Sequence, residues 1–387
     1  MEPDINNSFN NKSIKEIKKQ IQDSVDKKEE LRTEYLKKAE EIGYKNSSKK
    51  YVSADQFGFF TEEKTDINSE QYKILQLREN ARSEKWSEMF KDFDKFYKKN
   101  FSKLKSRTRK GIPDCYRGLA WVYFVNIKQF TDLKENRDLF RYLEENGQLD
   151  EETEKVILKD IDRTFPKNIL FKDRYGNGQR KLYNVLRNYS IFNKNTGYVQ
   201  GMGFITGLLL TYMTEEDTFW TLHCLMKNYN MESLFEHEFP GLKCNFYIFL
   251  SLLKRYNNKI YKLFMNNEIY PSMYASQWFI TLFSNCLNFR ILVRIFDTLL
   301  LEGEKVIFRI ALSLIKINEQ KLLSCKQFEN IMLSFKSFGE NLNEEDFFNI
   351  VFDWGFHRKD IENYRKEYHK YLETKNLNDE VMKQCIF

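Results

Sequence analysis

Proline is scarce in this sequence, five residues in 387, and strict alternation of apolar with polar residues is almost absent. Sheets have little support in such a pattern, so helices are left to carry the chain. Histidine is scarcer still, with four, and the six cysteines (Cys115, Cys224, Cys244, Cys286, Cys325 and Cys385) form no CxxC pair. Neither a metal site nor a disulfide framework is supported, and reduced, mostly buried thiols are expected. Long apolar runs are missing too. The longest, Phe204 to Met213, is too short to span a bilayer, and "MEPDINNSFNNKS" at the start has no basic-then-apolar signal. A soluble, cytoplasmic chain with no transmembrane segment is the expectation. Charge of one sign is nearly balanced, 62 basic against 56 acidic residues for a net +6, without a block resembling a nucleic-acid arm. No nucleic-acid partner is expected. The ending "KQCIF" misses a lipidation box by one place, because Cys385 is third from the end where a CaaX box needs it fourth.

Aromatic residues are plentiful, 34 Phe and 22 Tyr, enough for a sizeable core. Ser13 and Glu16 form a capping box, and Ile14, Ile17, Ile21, Leu31, Tyr35 and Ile42 then recur at helical spacing up to Gly43. One long, charged amphipathic helix is predicted there, its heptad seam broken by Ser24, Lys28 and Lys38, with a linker over 44–55. From about Asp66 helical spacing resumes, with Trp86, Met89, Phe90, Phe93 and Phe96 at steps of three and four, and it persists to about Leu372, after which the last residues are expected to fray. Trp121, Trp220 and Trp278 are assigned to packing. No internal repeat of solenoid period is visible, so a large all-α array is predicted.

Three stretches carry unusual chemistry. "RKGIPDCYRGLAW", Arg109 to Trp121, has a turn at Gly111, Ile112 and Pro113, a candidate helix cap in Asp114, and Arg117 and Trp121 on one face. "VILKDIDRTFPKN" sets Asp160 and Arg163 beside each other near a helix end that Phe165-Pro166 stops. "TGYVQGMGFITGLLLTYM" places Tyr198 and Gln200 at the mouth of an apolar run. It invites a nucleotide-binding reading, but after Gly201 and Gly203 the third glycine is Gly207, one position late for the dinucleotide fingerprint, and no GK[ST] follows. The glycines are instead read as places where another backbone comes close. Taken one at a time, Arg117 and Arg163 read as structural or surface ion pairs and Gln200 as a cap or surface amide.

In this order, the three stretches resemble the TBC domain of GTPase-activating proteins for Rab-family small GTPases. R-x-GIP-x3-R-x3-W matches at Arg109 to Trp121, IxxDxxR at Ile157, Asp160 and Arg163, and YxQ at Tyr198 and Gln200. The similarity covers roughly 105–318 and continues through "YASQWFITLFS" and "RIFDTLLLEGEKVIFRIALSLI". "DQFGFF" at Asp55 to Phe60 looks like the usual lead-in, and Phe296 stands where the family usually has Trp. The domain division expected from this is a helix and linker over 1–50, a helical lead-in over 51–104, the TBC domain over 105–318, its C-terminal helical part over 319–375 and a tail over 376–387. The resemblance implies two helical lobes and an enzyme activator, not a stand-alone hydrolase. Its partner would be a GTP-bound Rab that carries the GTP and Mg²⁺, so the chain has no cofactor of its own. Arg163 would be an arginine finger and Gln200 would orient the attacking water. Asp160 would hold Arg163 and Tyr198 would brace the loop, with Gly201 as a further supporting residue. The implied setting is vesicle traffic, in the cytoplasm and peripheral to endomembranes through partners. A non-catalytic TBC scaffold, or a helical adaptor that binds a GTPase or traffic partner, is the alternative.

Overall fold

The apolar steps of three and four residues are realised as helices along the described chain. The only sheet among the described residues is a two-residue antiparallel ladder, Ser53–Ala54 with Phe60–Thr61. The structure is a computed structural model and describes residues 53–61, 70–325, 327–374 and 380–383. The helix expected from Ile14 to Ile42, most of the 44–55 linker and Cys385 lie outside the described residues. The class is all-α, as the spacing predicted. Among the described residues no helix is long and apolar enough to cross a membrane.

The described residues divide into two compact units that interleave in sequence: one takes 53–61 and Asn126–His223, the other 70–125 and the described residues from Cys224 onward. In the first, the helices Glu151–Arg163, Asn177–Phe192 and Met202–Leu210 pack against one another. Asp150 starts the first of these, its side chain accepting from the Thr153 amide at 2.8 Å, and Glu151, Glu152 and Glu154 meet the positive end of the helix dipole. The helix stops at Arg163, where Thr164 turns to extended backbone ahead of Phe165-Pro166. Trp220 is buried in an aromatic cluster with Phe130, Phe192 and Phe219.

In the second unit, Phe101–Arg109 and Asp114–Val125 pack on Phe289–Glu302, and Pro240–Tyr256 packs on Arg358–Thr374. Trp121 and Trp278 are buried, and Phe296 fills a fully buried place beside Trp121, ring centroids 6.0 Å apart. An aromatic suffices at that core position. The expectation that the last residues fray is corrected over Glu380–Lys383: this is a helix, with Val381 and Met382 buried, that packs against Pro240–Tyr256. Removing these two apolar side chains from water favours the ordered turn.

The Phe289–Glu302 helix ends on a carboxylate whose side chain is 2% exposed and faces three cations: Arg109 Nε at 2.6 Å, Lys105 Nζ at 3.3 Å and Lys305 Nζ at 3.2 Å. Burial alone would raise the Glu302 carboxyl, but the hydrogen bonds and charge of Arg109, with Lys305 and Lys105, outweigh it and bring it down to about 2. An unfolded glutamate titrates near ~4.3. The folded group is therefore depressed, so its stabilisation is complete above that value and is lost as pH falls toward about 2. The unfolding midpoint of the wild type should fall more steeply across this window than that of Glu302→Gln. Parallel slopes in thermal melts across the acid range would remove Glu302 as the cause.

Candidate functional site

The centre of the first unit's polar site is Asp160, three residues before the end of the Glu151–Arg163 helix. Its side chain is 1% exposed whereas that of Arg163 is 46% exposed, and the two form an ion pair. A buried carboxylate is tolerable only when its lone pairs are satisfied. Here the Arg163 guanidinium, the Tyr198 hydroxyl and the Gly201 amide, the last at 2.9 Å, all donate to it. Gly201 reaches Asp160 because it turns at φ +109, a backbone conformation that a side chain would strain, and it caps the Met202–Leu210 helix from there. Two residues on, a Cβ at Gly203 would lie 2.9 Å from Thr164 Oγ1. That hydroxyl donates to the Asp160 carbonyl at 2.8 Å and so ties the helix end to the turn beyond Arg163. The close approach expected of these glycines is by side chains and not by another backbone: Thr164, Asp160 and Tyr198 crowd Gly203, and Thr164 and Phe165 crowd Gly207.

Gln200 is exposed and lies against Arg163. With its carboxamide oxygen toward the guanidinium, the orientation that satisfies both groups, it accepts from Nη1 at 2.7 Å and Nη2 at 2.5 Å. Burial, followed by the negative charge of Asp160 and the hydrogen bond to it, pushes the Tyr198 phenol well above its ordinary range, so it remains a donor to Asp160 throughout neutral pH. Asp160, Arg163, Tyr198, Gln200 and Gly201 thus form one cluster in which a buried acid anchors an outward guanidinium beside an outward carboxamide. An ionised guanidinium and an amide are poor nucleophiles and poor bases. They suit charge stabilisation and the orientation of a small polar molecule.

The remaining candidates, Gly111, Ile112, Pro113, Arg117 and Trp121, lie in the second unit and share a different acid. Asp297 is fully buried and accepts from the Ile112 amide at 2.8 Å, Arg117 Nε at 3.1 Å and Trp121 Nε1 at 2.8 Å. Burial pushes its carboxyl above the ordinary range, against the lowering pull of Arg117 and of these hydrogen bonds. Arg117 also donates to the Ile112 carbonyl and to Asp114. Asp114 is the first residue of the helix and an ion-pair partner, where a cap had been the candidate role. Arg117 is 6% exposed at its side chain, so this motif is architecture. Sequence reasoning missed Asp297. Its signal was the "RIFD" stretch, but Asp297 is 180 residues from Arg117 and no spacing rule joins them.

Comparison with known proteins gives a consistent result. The family described as the Rab-GTPase-TBC domain matches residues 114–323. The chain is 33% identical over 267 residues to mouse TBC1 domain family member 4, covering 67% of this chain and 20% of that protein. It is 33% identical to mouse TBC1 domain family member 10B, with 68% and 33% covered. It is 31% identical to the human ecotropic viral integration site 5 protein homolog, with 62% and 28% covered. The chain therefore spans about a fifth to a third of the length of these relatives. Among solved structures, the Chlamydomonas flagellar RabGAP TBC domain superposes with a TM-score of 0.61 at 22% identity, covering 78% of this chain and 100% of that one. The Ypt/Rab-GAP domain of Gyp1p follows at 0.57 and 21%, with 75% and 99% covered. Both share the fold.

Proposed function

The chain belongs to the Rab-GTPase-TBC domain family, and on that premise we propose that it accelerates GTP hydrolysis by a Rab-family small GTPase, placing Arg163 and Gln200 in the partner's active site. The observation that carries the proposal is the pairing of an exposed guanidinium and an exposed carboxamide on a buried acid. The GTPase brings the nucleotide and Mg²⁺, so the chain needs no nucleotide cofactor of its own. Phosphoryl transfer spreads negative charge over the transferring group and the leaving oxygen. Arg163, always ionised and able to donate to two oxygens at once, would stabilise that charge. Gln200 would position the attacking water, a task otherwise left to the GTPase's own glutamine. In the partner-free chain the two side chains satisfy each other, so engagement exchanges this contact for contacts to phosphate and water. Asp160 keeps Arg163 near its working position, which lowers the ordering cost of that exchange.

The proposed setting is membrane traffic, with the chain cytoplasmic and brought to endomembranes by its partners. The direct test is single-turnover phosphate release from a panel of GTP-loaded Rab proteins mixed with the purified chain. Acceleration of at least one Rab is expected, and a scaffold or adaptor would bind without it. Gln200→Ala should lower the stimulated rate by about 10- to 100-fold, because small errors in the position of a reacting water are costly. A GTPase with Leu in place of its own glutamine should still be stimulated by the wild-type chain. Complete dependence on the GTPase's glutamine would take Gln200 out of the mechanism.

A further inference from the structure

We propose that the lead-in segment Asp55–Phe60 is a positioning clamp for Arg163, holding the turn through which the chain leaves the Glu151–Arg163 helix. The inference rests on reading Arg163 as the group that enters the partner's site. The turn needs an external hold. Phe165 sits at φ +45, a conformation that an aromatic residue rarely adopts, and the helix ends just before it.

The segment supplies the hold through a single antiparallel bridge, Phe59 opposite Asn168. The Phe60 amide donates to the Lys167 carbonyl at 3.0 Å, and the Ile169 amide donates to the Gly58 carbonyl at 2.8 Å. Asn168, fully buried, donates from Nδ2 to the Phe57 carbonyl at 2.9 Å. The Phe59 ring meets the Phe165 ring edge to face, centroids 5.9 Å apart. Asp55 shapes the clamp itself, with Oδ1 accepting from the amides of Phe57 at 2.9 Å and Phe59 at 2.8 Å. Gly58 is at φ +83, and a Cβ there would meet Ile169 Cγ2 at 2.9 Å. Main-chain hydrogen bonds, a ring contact and a side-chain amide therefore converge on Phe165, Lys167, Asn168 and Ile169, two to six residues after the guanidinium-bearing residue. The clamp lies ahead of the residues 114–323 that match the family, so the working seat of Arg163 would extend beyond them. Displacement by about 1 Å of a group acting at the transition state costs up to about 100-fold in rate, whereas contact area for the partner is spread widely. The clamp should thus act on kcat and leave KM largely alone.

The test uses the full chain with Asp55→Ala, Asp55→Asn and Gly58→Val, assayed on a Rab that the wild type stimulates, with hydrogen exchange and thermal melting in parallel. Asp55→Ala and Gly58→Val should lower kcat by about 10- to 100-fold with KM within about twofold, and should speed exchange at the Ile169 amide. Asp55→Asn keeps the Oδ1 acceptor and should retain most of kcat. Full kcat in Asp55→Ala and Gly58→Val beside an active wild type overturns the clamp alone. So does a loss confined to KM, or a joint loss of kcat and melting temperature that Asp55→Asn does not restore. A wild-type chain that accelerates no Rab overturns the reading of Arg163, and the clamp's catalytic role with it.

Discussion

Arg163→Ala is expected to lower the stimulated rate of GTP hydrolysis by about 10³- to 10⁵-fold, the range that an arginine finger supplies, or about 4 to 7 kcal/mol of barrier. The fold should survive. The Arg163 side chain is 46% exposed, and Asp160 keeps the Tyr198 hydroxyl and the Gly201 amide as donors when the guanidinium is removed. Arg163→Lys separates charge from geometry: it keeps the cation but loses the planar fork that donates to two oxygens, so it should recover little of the rate. Single-turnover phosphate release on a responsive Rab, with binding to the same Rab measured alongside, decides the matter. Undiminished acceleration by Arg163→Ala would sink the mechanism.

Asp297→Ala should destabilise the chain by about 3–5 kcal/mol, the cost of removing one partner from a buried ion pair. The Ala variant leaves Arg117, the Trp121 indole N–H and the Ile112 amide facing a vacated acceptor. Trp121→Ala should cost a similar ~3–5 kcal/mol by a different route, the cavity left by a fully buried indole. Asp297→Asn keeps an oxygen acceptor in the same place and should cost less than Asp297→Ala. Denaturant midpoints for the three variants are the measurement, and a midpoint equal to that of the wild type for Asp297→Ala would show that the acid does not hold the Gly111–Ile112–Pro113 turn.

The two acids Asp160 and Asp297 show why some of the site could be read in the sequence and some could not. Asp160 and Arg163 are three residues apart, so helical spacing alone sets them side by side. Tyr198 and Gly201 meet the same carboxylate from 38 and 41 residues away. The family resemblance implied that Asp160 holds Arg163 and that Tyr198 braces the loop, but neither it nor any local rule joined Tyr198 and Gly201 to that carboxylate. The local "RIFD" stretch did not reveal what Asp297 binds either, since a carboxylate within an apolar helix looks the same whether or not a turn far back in the chain donates to it. The Asp55–Phe60 segment was recognisable as a lead-in, yet its contact with Asn168 spans 111 residues.

By itself the sequence determined the helical character of the chain and the three motifs, because each depends on residue types within a few turns of helix. Tertiary structure alone decided that the motifs divide between two interleaved units, that Arg117 is enclosed while Arg163 is open, and that the residues before the matched domain grip the turn after Arg163. The physical reason is that local spacing orients a side chain only relative to its own helix. Whether that side chain meets water, a buried acid or a strand from elsewhere in the chain depends on which distant surfaces exclude water together as the core forms.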